Sequence, residues 1–324
     1  MIRDILSRHP DREFRRRKVQ KTVTAGPIVQ WVGGKRQLMD RYMEIFPKEI
    51  NNYFEPFMGG ASVFFELQNR GVIKGKSYLS DLNTELIVTS NLIKSGRFAE
   101  VARLINEINE KHSKELFYEI RNVDRVRTGN KKYKKTAELF DILDPVEVAA
   151  RFIYLNKTCF NALFRVNGDG LFNVPIGRSE KKDFSDYGQL KSAASVLSKA
   201  EIKHASYENV LELASPGDFV YFDPPYEPVE SGSEKSVGGV LINGNNFTSY
   251  TVDGFTSEDQ IRLRDCCDTL NDKGVSFALS NSNAPLIQEL YKSYNVKTLE
   301  VNRTLNSKGD KRKNAAKEVL VTNF

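Results

Sequence analysis

The run Asp218-Phe219-Val220-Tyr221-Phe222 is apolar and β-prone, and it stops at Asp223-Pro224-Pro225-Tyr226. Consecutive prolines remove two backbone donors and hold Asp223 and Pro224 in extended geometry. A strand can therefore lead into this tetrapeptide but cannot pass through it. A short continuous apolar run fits a strand covered on both faces, the usual state of a parallel sheet. Candidate partner strands are Asn52–Phe57, Lys76–Asp81, Val275–Ser280 and Lys317–Asn323. Helical spacing separates them: Leu38, Met39, Tyr42, Ile45 and Phe46 share one side of a helix over 34–46, and further helices are expected over 63–69 and 82–94.

This alternation has a long interruption. Residues 100–150 read as charged helices, and the character changes over 151–204. There Asn167-Gly168-Asp169-Gly170 separates Phe164-Arg165-Val166 from Leu171-Phe172-Asn173-Val174, a hairpin signal. The pattern predicts a doubly wound α/β sheet made from 28–100 and 205–324. The inserted segment, 101–204, forms a helical plus β-hairpin module, and 1–27 is a tail outside both. Ligands of such sheets bind beyond the carboxyl ends of the strands. The Gly/Ser/Glu-rich stretch 228–246 reads as a lid or as a plain insertion beside the strand that ends at Asp223.

The net charge of +6 is concentrated in the tail, where residues 1–27 hold eight Lys/Arg against three acids. Such a segment is either an arm for nucleic-acid phosphates or a solvated tail. No apolar run approaches the roughly 20 residues that span a bilayer, and no secretory leader is visible, so a cytoplasmic protein with no membrane partner is expected. Cys159, Cys266 and Cys267 lack CxxC spacing, and His9, His112 and His204 are scattered, so no metal site is expected.

Three constellations carry chemistry. Phe54-Glu55-Pro56-Phe57-Met58-Gly59-Gly60-Ala61 places small residues between a strand and a helix, where backbone can approach a ligand closely. Asp81 ends the next strand, about twenty residues on, where an acid can bond ribose hydroxyls; the pyrophosphate fingerprint of a dinucleotide site is absent. Asp223-Pro224-Pro225-Tyr226 offers a carboxylate, carbonyls without competing donors and an aromatic ring, which suits a flat ligand bearing an NH2 group. In Trp31-Val32-Gly33-Gly34-Lys35, the lysine follows two glycines at a helix start, where it can hold a carboxylate. Each has a plainer reading: a turn, a rigid corner with a packed tyrosine, a capped helix with a solvated lysine.

In order along 28–324, these motifs are joined by Ser80-Asp81-Leu82-Asn83, Tyr154-Leu155-Asn156, Phe160–Asn167, Phe172–Arg178, Asn246–Tyr250 and Leu279-Ser280-Asn281-Ser282. Together they resemble the Dam-type DNA adenine-N6 methyltransferases, the D12 class or alpha group. The resemblance implies a Rossmann-like methyltransferase sheet with S-adenosyl-L-methionine as cofactor and double-stranded DNA as partner. It also implies a short target site, usually GATC. It assigns catalysis to Asp223, Pro224 and Tyr226, and cofactor binding to Trp31, Lys35, Glu55, Phe57, Gly59, Asp81 and Asp223. Asn161, Leu163, Arg165, Asn167, Pro175 and Arg178 would meet DNA through the hairpin, with Arg165 reading a guanine. Lys311 and Arg312 are candidate phosphate contacts or a solvated loop.

Two positions depart from the family pattern. Gln30 stands where a lysine often helps read the outer guanine, and Ala61 stands where glycine is usual. The expected chemistry is methyl transfer to a flipped adenine, with no covalent enzyme intermediate and no metal. Rivals are a methyltransferase for cytosine N4, an RNA adenine or a protein amide, and a DNA-binding protein that keeps the fold without catalysis. A monomer or weak dimer is expected, with a cognate restriction endonuclease as an open partner.

Overall fold

Seven strands form one mixed sheet in this computed structural model: β1 (Tyr53–Glu55), β2 (Ser77–Asp81), β3 (Ala200–His204), β4 (Phe219–Phe222), β5 (Ser276–Ser282), β6 (Asn295–Val301) and β7 (Ala316–Thr322). The structure describes residues 1–9, 24–31, 33–128, 133–177, 187–229, 234–237, 240–243, 255–301 and 316–324. The strand order is β6-β7-β5-β4-β1-β2-β3. β2, β1, β4 and β5 pair in parallel, and β7 runs antiparallel between β5 and β6. This is the mostly parallel, Rossmann-like sheet expected of a doubly wound fold. From β1 the chain adds strands outward on one side and then, from β4, on the other. The switch point therefore lies between β1 and β4, and the crevice beyond their carboxyl ends is the place for a ligand.

The chain divides into two compact units, Met1–Gly34 with Asn83–Ile202, and Lys35–Leu82 with Lys203–Phe324. In the second, all residues of β1 and β4 are buried. Phe54, Val220, Phe222, Phe277, Leu279 and Val319 share one core cluster with Cys266 and Cys267, whose thiols serve as small apolar filling. The helix expected over 34–46 is a 3-10 turn at Lys35–Gln37 followed by the helix Met39–Ile45.

The first unit is helical. Its helix Pro145–Thr158 is buried on nearly every side, starts with proline at its first position and is capped by Asp144, whose carboxylate accepts from Val146 N and Glu147 N at 2.8 and 2.9 Å. The helices Thr84–Leu92 and Phe98–Glu110 pack on it. The expected boundary at 101 falls inside this compact unit, where Glu85 pairs with Arg151 at 2.8 Å. The basic tail also differs from a solvated arm over its first residues. Ile2, Ile5 and Leu6 form a short helix with a buried face that packs on the helix Lys114–Arg121, and Ile2 N donates to Glu147 Oε1 at 2.9 Å. Arg12, Arg15, Arg16, Arg17, Lys18 and Lys21 lie outside the described residues, as do 230–233, 238–239 and 244–246; within the stretch 228–246, Glu234–Val237 and Val240–Asn243 pair as an antiparallel hairpin. Among the described residues no helix is long and apolar enough to cross a membrane.

Candidate active site and recognition hairpin

β4 ends at Phe222, so Asp223 emerges at the switch point. Lys35 reaches it from the 3-10 turn at Lys35–Gln37, and its Nζ lies 2.8 Å from Asp223 Oδ1 and 2.8 Å from Oδ2. Lys35 is 2% exposed and the Asp223 side chain 22%, so the pair presents a carboxylate edge to solvent from a buried lysine. Burial pushes the Asp223 carboxyl above its ordinary value, and the Lys35 charge pulls it back only in part. Lys35 Nζ also sits 5.0 Å from the centroid of the Tyr226 ring. The Tyr226 hydroxyl donates to Glu318 Oε2 at 2.9 Å, and burial holds its phenol well above the ordinary range, so it stays a neutral donor.

The next strand ends hold the other candidates. After β1, Gly59 adopts φ +43°, and its N–H donates to Asp81 Oδ2 at 3.0 Å, which ties the glycine turn to the end of β2. Ala61 takes the left-handed conformation, φ +53°, immediately before the helix Ser62–Asn69. Glycine would adopt this backbone without strain, whereas the Cβ of alanine costs about 1–2 kcal/mol there. Phe57 is half-buried and stacks on Tyr207, with centroids 5.3 Å apart. The structure therefore gathers Lys35, Gly59, Asp81, Asp223, Pro224 and Tyr226 at the carboxyl ends of β1, β2 and β4.

Glu55 turns inward instead. Its Oε2 accepts from the Tyr53 hydroxyl at 2.8 Å and from Phe64 N at 3.0 Å, and it is 2% exposed. Burial pushes its carboxyl up to about 8. At neutral pH the folded chain therefore holds a proton there that the unfolded chain releases above its ordinary value of 4.5. The stabilisation is complete below that value and is lost as pH rises toward 8, with a limiting slope of about 1.4 kcal/mol per pH unit. Glu55→Gln keeps an acceptor for both donors and cannot ionise. Urea unfolding between pH 5 and pH 8, roughly the window between the two values, is expected to show a flatter stability profile for this variant than for the parent. Parallel profiles would exclude Glu55 as the titrating group.

The segment expected to form a hairpin belongs to the first unit. Bridges Cys159↔Ile176 and Val166↔Phe172 close the expected hairpin. Asn167 Oδ1 accepts from Asp169 N at 3.1 Å and Leu171 N at 2.9 Å, so this side chain builds the turn. Asn161 is exposed and takes φ +56°, Leu163 is half-buried, Pro175 is exposed and Arg165 is exposed. Arg165 Nε donates to Asn173 Oδ1 at 2.7 Å, a bond between the two limbs of the hairpin. At the neck, Gly177 N donates to Thr158 O at 2.8 Å, and a Cβ on Gly177 would lie 2.9 Å from Cys159 O. Trp31 stacks on Phe164 with centroids 5.8 Å apart, within this same unit. Asn156 clamps the backbone of Gln30, donating to its carbonyl at 2.7 Å and accepting from its N–H at 2.9 Å. Arg178, Lys311, Arg312 and the motif Asn246–Tyr250 lie outside the described residues.

Sequence reasoning assigned no role to several residues that hold these features. Glu318 and Gln260 are buried partners of the Asp223–Tyr226 segment, and Arg121 and Arg125 donate to Val174 O (3.3 Å) and Phe172 O (2.7 Å) on the return limb of the hairpin. Nothing in local spacing marks them, because each partner is distant in sequence.

The chain is similar to known proteins over most of its length. Residues 31–305 match the family model described as D12 class N6 adenine-specific DNA methyltransferase. The Type II methyltransferase M1.LlaDCHI of Lactococcus lactis subsp. cremoris is 39% identical over 300 residues, covering 92% of this chain and 95% of its own length. The Type II methyltransferase M.MjaIII of Methanocaldococcus jannaschii is 36% identical over 314 residues, 92% of this chain and 99% of that one. The DNA adenine methylase of Escherichia coli K12 is 29% identical over 288 residues, 88% and 91%. A match of this extent, on a sheet whose switch point carries Asp223-Pro224-Pro225-Tyr226, makes this chain a member of the D12 class N6 adenine-specific DNA methyltransferase family.

Proposed function

We propose that the chain transfers a methyl group from S-adenosylmethionine to N6 of adenine in duplex DNA, within GATC or a related short site. The observation that carries this reading is the pair of acceptors at the switch point. The Asp223 carboxylate is 22% exposed, and among the described residues no donor is bonded to the Pro224 carbonyl. Two acceptors side by side match the two hydrogens of an exocyclic amine. Bonds to both would draw the N6 lone pair out of the ring and stabilise the positive charge that develops on attack. Tyr226 is the proposed stacking surface for the flipped base.

The donor set fits S-adenosylmethionine. Lys35 offers a cation for its carboxylate, Asp81 an acceptor for its ribose diol, and the Gly59-Gly60 turn a close backbone approach. When bound, the cofactor supplies an electrophilic methyl on a sulfonium. Glu55 supports this turn from beneath through Phe64 N, and Phe57 forms its apolar floor. Trp31 is a further proposed cofactor contact.

The hairpin is the proposed DNA reader, with Asn161, Leu163, Arg165 and Pro175 on it and Asn167 shaping its turn. Arg178, Lys311 and Arg312 complete the proposed DNA contacts. Arg165→Ala is expected to lose ~1–3 kcal/mol of discrimination at one base pair, measured on a panel of single-substituted duplexes. Equal loss on every duplex would make Arg165 a phosphate contact. A protein with these parts works in the cytoplasm, as a monomer or weak dimer, and a restriction endonuclease is a proposed companion because two similar proteins are Type II methyltransferases. Methylation of a random plasmid library, followed by modification-sensitive sequencing, tests the whole reading. The expected result is N6-methyladenine in one short motif, and methyl groups on cytosine, or none on DNA, would overturn it.

A further inference from the structure

The peptide after Asp223 is held by a buried relay that the transfer chemistry itself does not require. Gln260 lies in the first turns of the helix Ser257–Asp272 and is 0% exposed. Its Nε2 donates to Pro225 O at 2.9 Å, and its Oε1 accepts from Asn281 Nδ2 at 3.0 Å. Asn281, also 0% exposed, lies on β5 beyond Leu279, the partner of Phe222 at the end of β4. Its Oδ1 accepts from Glu227 N at 3.1 Å and Ser282 N at 2.8 Å. Ser282 Oγ donates to Glu227 O at 2.5 Å.

The polarity of this relay is fixed from both ends. Backbone N–H groups only donate, so Asn281 must present oxygen to Glu227 and Ser282, and its nitrogen to Gln260. A carbonyl only accepts, so Gln260 must present nitrogen to Pro225. Neither amide can flip without setting two like groups against each other in a buried site, where an unmade bond costs most. Pro224 and Pro225 lack N–H groups, so carbonyl contacts are the main polar means of orienting this stretch.

We propose that Gln260 and Asn281 are positioning residues for methyl transfer: by fixing the Pro225 carbonyl and the Glu227 amide, they set the peptide plane that leaves the Pro224 carbonyl free beside Asp223 for the target amino group. This rests on the reading of Asp223 and Pro224 given under the proposed function. None of the relay's hydrogen bonds runs to Lys35 or Asp81, so its expected effect is on the rate of transfer and not on cofactor affinity.

The test uses the full-length chain with S-adenosylmethionine and its DNA site. Single-turnover rates are expressed per cofactor-binding site, counted by calorimetry, so that misfolded protein does not enter the rate. Gln260→Met keeps the volume and loses the donor. It is expected to slow transfer by about 10- to 100-fold, the scale of a misplaced reacting group, with both dissociation constants unchanged. Gln260→Glu keeps the shape. When protonated it can donate to Pro225 O and accept from Asn281; when ionised it sets a carboxylate against a carbonyl. Its rate relative to the parent is therefore expected to fall as pH rises, a signature that a packing role would not produce.

A parent-like rate for Gln260→Met, a Gln260→Glu rate that tracks the parent at every pH, or a loss confined to affinity or to the number of binding sites would overturn the proposal. Failure of the parent chain to methylate any DNA would instead overturn the functional reading beneath it.

Discussion

Asp223→Ala is expected to slow methyl transfer by three orders of magnitude or more while leaving DNA bound. Removing one preorganised partner of developing charge typically costs ~10²–10³ in rate. Here the same carboxylate also faces Lys35, which is 2% exposed. The alanine variant strips a buried lysine of its carboxylate partner, a change worth about 3–5 kcal/mol where burial is complete and less at the partly exposed edge of Asp223. Loss of stability and of cofactor affinity should accompany loss of rate. Asp223→Asn separates the two effects. It keeps the shape and one acceptor, so its melting temperature should stay nearer the parent's, yet it loses the charge and is expected to be about 10²-fold slower. Single-turnover assays with labelled cofactor, DNA binding by fluorescence anisotropy and thermal melting report the three quantities independently. Parent-like turnover in either variant would remove Asp223 from the chemistry.

The part of this site legible in the sequence is the part written in short range. β4 and its abrupt end follow from an apolar run stopped by two prolines, and the pairing of Gly59 with Asp81 follows from one strand-turn-helix-strand unit. β3 and β6 were harder to see because they are edge strands with polar residues interleaved, Ala200-Glu201-Ile202-Lys203-His204 and Asn295–Val301, which resemble loop or helix ends. The contact between Lys35 and Asp223 spans 188 residues, so no local pattern encodes it. In 1–27 the basic residues dominate the composition, yet the spacing of Ile2, Ile5 and Leu6 buries one face of a helix. The charge of the helices over 100–150 does not reveal that Asp124 and Arg151 are buried together, with Glu85 as a further partner of Arg151. At Ala61 the small side chain is legible in the sequence, whereas the left-handed backbone angle of +53° is not.

Arg151→Met should destabilise the helical unit by about 3–5 kcal/mol, the largest stability change expected from a single substitution there. Arg151 is 1% exposed and uses every face of its guanidinium. Nη1 pairs with Glu85 at 2.8 Å, Nη2 lies 3.8 Å from Asp124, and Nε and Nη2 each donate at 3.1 Å to the carbonyls of Ile120 and Arg121 at the end of the helix Lys114–Arg121. Methionine fills similar space but leaves two carboxylates and two helix-terminal carbonyls without that cation. Burial already pushes the Glu85 carboxyl above its ordinary value despite Arg151, so Glu85 is the group most exposed to the loss. Asp124 also holds Arg125, which donates to Phe172 O at 2.7 Å, so the disturbance should pass to the return limb of the hairpin. The double variant Glu85→Gln/Arg151→Met removes both charges and should recover part of the stability, because a neutral buried pair costs less than a lone buried ion. Urea unfolding of the parent, the single variants and the double variant measures the coupling directly. Strict additivity would mean that lost packing, not an uncompensated carboxylate, accounts for the effect. Weakened discrimination by the double variant on single-substituted duplexes would then mark the helix-end carbonyls and Asp124, not the Glu85 charge, as the route from Arg151 to the hairpin.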